Sequence, residues 1–317
     1  MGRASHHKQG VSLIICSRNR PELLLDFVDS VLRGSSVPDE IVVVDQSNQP
    51  NNQLQLLDSG TDHLLRYVWS HTIGASRARN IGVKEAQHDL LVFADDDMLA
   101  PPDWFGNIVQ ALVSAGPDTI VTGQVATAAA AAGTFAPSTI TSLEAVVYQG
   151  RLAHDVLYTG NMALHRSAFT AVGLFDERLG PGTSFPAAED NDFGFRLLES
   201  GFQIMYVPDA VLYHRAWRQA KAYLGLRWRY GRGQGAYYAK HLRWHDHHMT
   251  RRLCSTTLCY TLRSIRALPC RRPAACGDAL YLAGLLTGVM QWLLMQHKLR
   301  RCRVECCSIR PVTYLAR

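Results

Sequence analysis

The sequence predicts an α/β fold with a mostly parallel central sheet, followed by a basic, mainly helical C-terminal region. Two observations carry this expectation. Short apolar runs rich in β-branched residues alternate with helical patterns between residues 11 and 97. The charge balance then changes sign along the chain. Residues 1–215 hold 14 Lys and Arg against 24 Asp and Glu, whereas residues 216–317 hold 19 against 3. An acidic body and a basic tail imply two regions, 10–215 and 216–317, and an anionic partner for the second. Hydrophobic residues make up 47% of the 317, enough to bury a sizeable core and to exclude wholesale disorder.

The elements follow in order. Residues 11–16 are a continuous apolar run, as expected of a parallel strand buried on both faces. Pro21 opens a helix with Leu24, Phe27, Val28, Val31 and Leu32 on one face. Residues 41–44 form a second buried strand ending at Asp45 and the polar turn 46–50. A shorter strand over 64–68, a helix over 76–86 and a strand over 90–94 lead into Asp95, Asp96 and Asp97. Beyond an alanine-rich stretch at 126–136, residues 157–164 read as a strand containing Gly160 and Asn161. A short helix starts at Phe169, and a Gly- and Pro-rich loop spans 178–188. A helix over 191–200 is closed by Gly201. Residues 204–207 and 211–214 flank a turn at Pro208-Asp209. Ligands of such sheets bind at the carboxyl ends of the strands, so the polar residues after Cys16, Val44 and Ala94 should converge on one crevice.

Three adjacent carboxylates repel one another, and capping the helix after Pro101-Pro102 needs only one of them. A cluster at a strand end suits a hard divalent cation, Mg2+ or Mn2+, with positions left open for phosphate oxygens. His214 ends an apolar strand. It is either a polar strand terminus or a further ligand, and imidazole suits manganese better than magnesium. Glu189, Asp190 and Asp192 open a helix, where acidic groups favour the dipole; one of them is also placed to act as a general base. Arg18, Arg20, Arg77 and Arg79 gather near strand ends and a helix start, where they are either solvated surface charges or face a crevice that holds a diphosphate. Helical spacing puts Arg77 and Asn80 on one face, and that is the face expected to look into the site.

In this order and spacing the segments resemble the family 2 glycosyltransferases over about residues 10–215. Residues 11–21 (VSLIICSRNRP) look like the family's first strand and nucleotide loop, and 42–45 (VVVD) like its second strand. Residues 74–82 (GASRARNIG) look like the segment before the metal strand, and 93–97 (FADDD) like its D-x-D site. The resemblance implies the GT-A fold and a single-step, inverting transfer of one sugar from a nucleotide-diphosphate sugar to a hydroxyl. It places Asp97 and His214 on the metal. Ser17, Arg18, Arg20, Asp45, Arg77, Asn80, Asp95 and Asp96 fall on the donor, with Asp45 at the base. Asp190 becomes the general base, with Glu189 beside it. Gly160, Asn161 and Asp192 line the acceptor side. Gln46-Ser47-Asn48 departs from the usual acidic and glycine-containing continuation after the second strand. The Q-x-x-R-W motif of the processive synthases is absent, which favours a single addition.

Residues 279–295 are uncharged and strongly apolar, at the short end of what spans a bilayer. Gly284 and Gly288 have the spacing of close helix packing. Residues 217–244 interleave Arg with Trp and Tyr, and no nucleic-acid-binding motif accompanies them. A glycan or lipid-linked acceptor and an anionic membrane surface are therefore the expected partners, and nucleic acid is not. The polar start gives no signal-peptide pattern, so a cytoplasmic, peripheral-membrane location is expected. Seven of the eight cysteines follow residue 250. Cys302, Cys306 and Cys307 with His297 lack two C-x-x-C knuckles, so free thiols are expected rather than zinc ligands. Two other functions share parts of this pattern. A sugar-nucleotide pyrophosphorylase would need a glycine in the loop at 17–20, and a non-catalytic nucleotide-sugar-binding module would be expected to lose carboxylates.

Overall fold

The computed structural model describes residues 9–60, 64–128, 133–136, 138–267 and 273–307, without the side chains of 59, 60, 267, 273–275 and 300–307. The side chains of Cys302, Cys306 and Cys307 thus lie outside the described residues. Cys16, Cys254, Cys259 and Cys276 are free thiols. The chain divides into two compact units, 1–223 and 224–317.

In the first unit the elements run β1 (Val11–Ser17), α1 (Pro21–Leu32), β2 (Glu40–Asp45), α2 (Asn52–Gly60), β3 (Leu65–Trp69), α3 (Ala75–Glu85) and β4 (Leu90–Asp95). They continue through β5 (Met98–Leu99), α4 (Trp104–Ala115), β6 (Thr119–Thr127), β7 (Thr134–Phe135), β8 (Val146–Tyr148), β9 (Asn161–His165), α5 (Ser167–Val172), α6 (Glu189–Glu199), β10 (Gln203–His214) and β11 (Arg218–Gln219). The main sheet has the order β3-β2-β1-β4-β9-β6-β10-β5, with β8 on β10. β1, β2, β3 and β4 are mutually parallel, as is the β6–β10 pair; β9 runs against both β4 and β6.

Alternation along the strands builds a core on each face of the sheet. Leu13, Ile15, Ile41 and Val43 pack with Leu24, Phe27, Val28 and Val31 of α1 and Trp104, Ile108 and Leu112 of α4. Ile14, Val42 and Phe93 pack on the other face with Ala78 of α3, Phe169 of α5 and Phe193 of α6. Burying each Val, Leu, Ile or Phe among them contributes about 1.5–3 kcal/mol relative to exposure. Leu32, expected on the buried face of α1, is 40% exposed.

Three local expectations change. The strand containing Gly160 starts only at Asn161, because Gly160 belongs to the preceding turn. Pro208-Asp209 is no turn. β10 runs through it as one strand, and the register against β6 shifts between Val207 and Leu212. Proline is accommodated at such a bulge because its missing N–H costs no ladder bond there. β6 was not anticipated from the sequence, yet it lies between β9 and β10.

The second unit is helical: α7 (Tyr223–His241), α8 (His248–Ala267) and α9 (Pro273–Cys307). Gly231 and Gly235 of α7 lie directly against the backbone of Tyr281 and Leu285 on α9. Gly284 and Gly288 lie against the backbone of Trp228 and Arg232. Two small-x-x-x-small pairs thus bring two helix backbones into contact. Asp278 is buried between Arg227 (2.8 Å) and Arg263 (3.0 Å). Replacing Gly288 with Leu would drive a side chain into the Arg232 carbonyl. It is expected to destabilise this unit by about 1–3 kcal/mol, read as a lower Tm.

Candidate functional site

The parallel register brings the strand ends together. Ser17 pairs with Asp45 across β1 and β2, and Cys16 pairs with Asp95 across β1 and β4. β5 pairs antiparallel with β10, setting His214 opposite Met98, and the Arg215 N–H donates to the Asp97 carbonyl at 2.9 Å. A residue more than a hundred positions downstream thereby reaches the aspartate cluster.

The three aspartates are held differently. Asp95 keeps part of its surface open and accepts from Arg79 Nη2 at 3.0 Å. A Cβ at Gly160 would stand 2.5 Å from Asp95 Oδ2, so only glycine leaves room for this carboxylate. Asp96 is fully buried. Its Oδ2 accepts from Ser17 Oγ at 2.6 Å, and Arg20 lies 2.5 Å from Oδ1. Burial and the neighbouring Asp97 and Asp95 push the Asp96 carboxyl up to about 7, despite Arg20 and Ser17. Asp97 Oδ2 accepts from Arg20 (2.7 Å) and Trp217 Nε1 (2.8 Å), and its Oδ1 lies 3.5 Å from His214 Nε2. Burial opposes its charge, but His214, Arg20 and Trp217 outweigh that and hold it well below the usual carboxylate range. His214 Nδ1 lies 3.1 Å from the Ser138 carbonyl. Burial likewise disfavours the imidazolium, and Asp97 more than offsets it, so the pKa of His214 is raised.

On the other side of the cluster, Arg79 also donates from Nη1 to Glu189 Oε1 at 3.0 Å. One buried guanidinium therefore ties the end of β4 to the start of α6. Glu189 is buried and Asp190 follows it on the first turn. Burial and the Glu189 and Asp155 carboxylates push Asp190 up to about 8, against the Asn191 N–H and Arg79. Ala188, before this pair, has φ +68°, and Asn19, in the loop after β1, has φ +54°. Among the described residues these are the non-glycine positions in the left-handed region, and both flank the site. Asp45, buried, accepts from the Ser47 N–H (2.8 Å) and the Tyr67 hydroxyl (2.7 Å). The Ser47 hydroxyl in turn accepts from the Asn19 N–H at 2.7 Å, joining the two loops.

Ser17, Arg20, Asp96, Asp97 and His214 are thus joined by direct contacts, and Arg79 joins Asp95 to Glu189 in a second group beside them, with Asp190 next to Glu189 and Asp45 paired in register with Ser17. Arg18 is exposed to solvent. Four candidates are placed elsewhere. Arg77 pairs with Glu177 at 3.0 Å, and Asn80 bonds both ways with the Phe175 backbone. The reason is the pitch of α3: its packing face runs through Ala78 and Gly82, with Gly82 pressed on Ile14, and this turns Arg79 towards the carboxylates. Asn161 is fully buried. It donates to the Gln124 and Ala210 carbonyls and accepts from Trp104 Nε1, so it ties strands together rather than facing an acceptor. Asp192 is fully buried and pairs with Arg196 at 3.0 Å. Arg196 reaches on to the Val172 and Leu174 carbonyls, so Asp192 anchors α6 rather than serving the acceptor side.

Two contributors are missing from the expected site. Arg79 is among the arginines expected near the crevice, but it lies on the helix face that the spacing argument set aside. Trp217 fell among the basic, aromatic residues, whereas the first unit extends to Tyr223. Its nearness to His214 in sequence was the available signal.

A mannosyltransferase from Pyrobaculum calidifontis, solved with GDP-Man and Mn2+, superimposes with a TM-score of 0.59 at 16% identity, covering 90% of this chain and 88% of that one. A GalNAc-T7 structure with UDP, GalNAc and Mn2+ gives 0.52 at 17% identity, covering 66% and 44%. These likenesses establish the GT-A fold. In sequence, the chain is 26% identical over 216 residues to the glucosyl-dolichyl phosphate glucuronosyltransferase of Haloferax volcanii, 65% of this chain and 69% of that protein. It spans smaller shares of other curated relatives, 8% of one and 46% of another. The Glycosyl transferase family 2 model matches residues 12–171. That span covers half of the chain and carries the aspartate cluster at the end of β4, and the chain therefore belongs to glycosyltransferase family 2.

Proposed function

We propose that the enzyme is an inverting, metal-dependent transferase. It moves one sugar from a nucleotide-diphosphate sugar to a hydroxyl of a glycan or lipid-linked acceptor. The observation that carries this reading is the facing pair Asp97 and His214, with Nε2 and Oδ1 3.5 Å apart. An Nδ1–H bonded to the Ser138 carbonyl would leave Nε2 as a lone-pair donor, the usual arrangement of a ligating histidine. Among the described residues no three His, Cys, Asp or Glu side chains converge closely enough to hold a metal ion by themselves. The pair therefore suits Mg2+ or Mn2+ completed by donor phosphate oxygens. Such an ion neutralises charge developing on the departing diphosphate.

The chain's own residues do the rest. Asp45 takes the base, and Asp95, which keeps part of its surface open, positions the ribose end of the donor; Asp96, expected there too, is fully buried and instead holds Ser17 and Arg20 in place. Ser17 holds Asp96, and Arg20 turns to the diphosphate, with Arg18 at the mouth. Asp190 accepts the proton of the acceptor hydroxyl. That oxygen forms its bond to the anomeric carbon as the carbon–phosphate-oxygen bond breaks, and the electron pair leaves with the diphosphate. One displacement inverts the centre. The lipid-linked substrate in the name of the Haloferax volcanii relative supports a lipid-linked acceptor. Membership of a glycosyltransferase family, whose reaction moves a sugar rather than a nucleotidyl group, sets aside the pyrophosphorylase alternative.

The test is thermal shift against a panel of nucleotide sugars with and without Mn2+. The matching donor at 100 times its Kd should stabilise by about 2.7 kcal/mol. That shift should need the metal and disappear in Asp97→Ala. A full shift without metal, unchanged in Asp97→Ala, would refute the metal-bound donor.

A further inference from the structure

Residues Cys276–Leu299 of α9 are long and apolar enough to cross a membrane, with mean hydropathy 1.3, yet 28% of that stretch is buried within the chain. One face of α9 is taken by α7 through the glycine contacts at 231, 235, 284 and 288. The opposite face carries Leu286, Met290, Leu293 and Leu294 at helical spacing, open to solvent. α8 carries a stripe of its own, with Leu258 and Leu262, and these six side chains are 42–60% exposed. Arg251 and Arg266 lie on that stripe, seven residues before Leu258 and four after Leu262, and both are exposed. Lys298 follows Leu294 by one turn of α9. Trp244, in the link between α7 and α8, is 94% exposed.

We propose that the second unit docks on an anionic bilayer surface, with the apolar stripes of α8 and α9 laid into the interface rather than across it. Charge complementarity selects this occupant. Residues 224–317 hold 17 Lys and Arg against 3 Asp and Glu, which attracts anionic headgroups and opposes pairing with a second copy of the same face. The packing excludes a simple span. Gly288, near the middle of the apolar stretch, lies on the backbone of Arg232, and Arg227 is paired to Asp278 near its start. A crossing α9 would draw α7 and its arginines into hydrocarbon, where such groups are strongly disfavoured. Apolar stripes edged by basic residues, with an exposed indole, are the composition of a helix pair lying in the interface. The docking is independent of the sugar-transfer reading and of any residue in the site.

The experiment is sedimentation of the full chain with vesicles of phosphatidylglycerol and phosphatidylcholine, against phosphatidylcholine alone, at low and high salt. Binding should need the anionic lipid and weaken with salt, with a blue shift of Trp fluorescence that Trp244→Ala diminishes. Leu286→Gln with Met290→Gln should weaken partition about tenfold or more, and Arg251→Glu with Arg266→Glu about tenfold or more. All three variants should unfold cooperatively with a Tm within a few degrees of the parent chain, which checks that they fold. Equal binding to neutral vesicles at every salt concentration overturns the proposal. So does binding unmoved by both pairs of substitutions, retention through an alkaline carbonate wash, or a lipid-free dimer abolished by Leu286→Gln with Met290→Gln.

Discussion

Asp190→Asn is expected to lower turnover by about 10²–10⁴, with donor affinity unchanged. The side chain sits on the first turn of α6 beside buried Glu189, and nothing places it on the diphosphate. Its carboxyl is pushed up to about 8, so in the free enzyme the working, deprotonated form grows as pH rises through that value. kcat/KM for the acceptor should therefore climb on the alkaline side of neutrality, well above the range of an ordinary aspartate. Glu189→Gln removes a neighbouring negative charge and should move that limb towards acid. Product formation against pH, with donor binding followed separately, checks both. Near-normal turnover in Asp190→Asn would remove this residue from the role of base.

The second large effect is expected at Arg79. Its guanidinium is 3.0 Å from both Asp95 and Glu189 and is itself buried. Those two carboxylates hold its pKa above the usual value, although burial opposes the charge. Arg79→Met leaves Glu189 buried without this partner. Breaking a buried pair in this way costs about 3–5 kcal/mol, roughly 10 °C in Tm for a unit of this size. Arg79→Lys keeps the charge but cannot fork to two carboxylates, so it should fall between. Adding Glu189→Gln to Arg79→Met should restore part of the stability, because the orphaned charge is gone. Donor binding should not return with it, since Asp95 would still lack its anchor. A double variant no more stable than the single one would count against the bridge.

Much of the sheet was legible because buried parallel strands write themselves as continuous apolar runs. β1, β2 and β4 were each visible this way, and their carboxyl ends do converge. β6 was missed although its residues are buried, because Thr and Gly interrupt its run. The site was harder. Ser17, Arg20 and the aspartates follow strand ends directly, so sequence position places them. Arg77 and Asn80 rest on helical spacing and on the resemblance over 74–82, and neither says which face of the helix packs inward. Gly82 on Ile14 decides that, and a contact between distant segments has no local signature. Asn161 and Asp192 misled for a related reason. A polar residue beside a crevice and one that ties two strands or helices together have the same appearance until their partners are known.

The paired glycines of α7 and α9 have a consequence for how this chain can diverge. Each stands where a single added carbon meets backbone, which cannot step aside. Drift at 231, 235, 284 and 288 should be confined to glycine, with alanine admitted where the helices can part slightly. Leu286, Met290 and Leu293 touch nothing so rigid, and should exchange freely among Leu, Ile, Met and Phe. A set of related chains should therefore show two kinds of column on one helix: one face invariant in size, the other constant only in its aversion to charge.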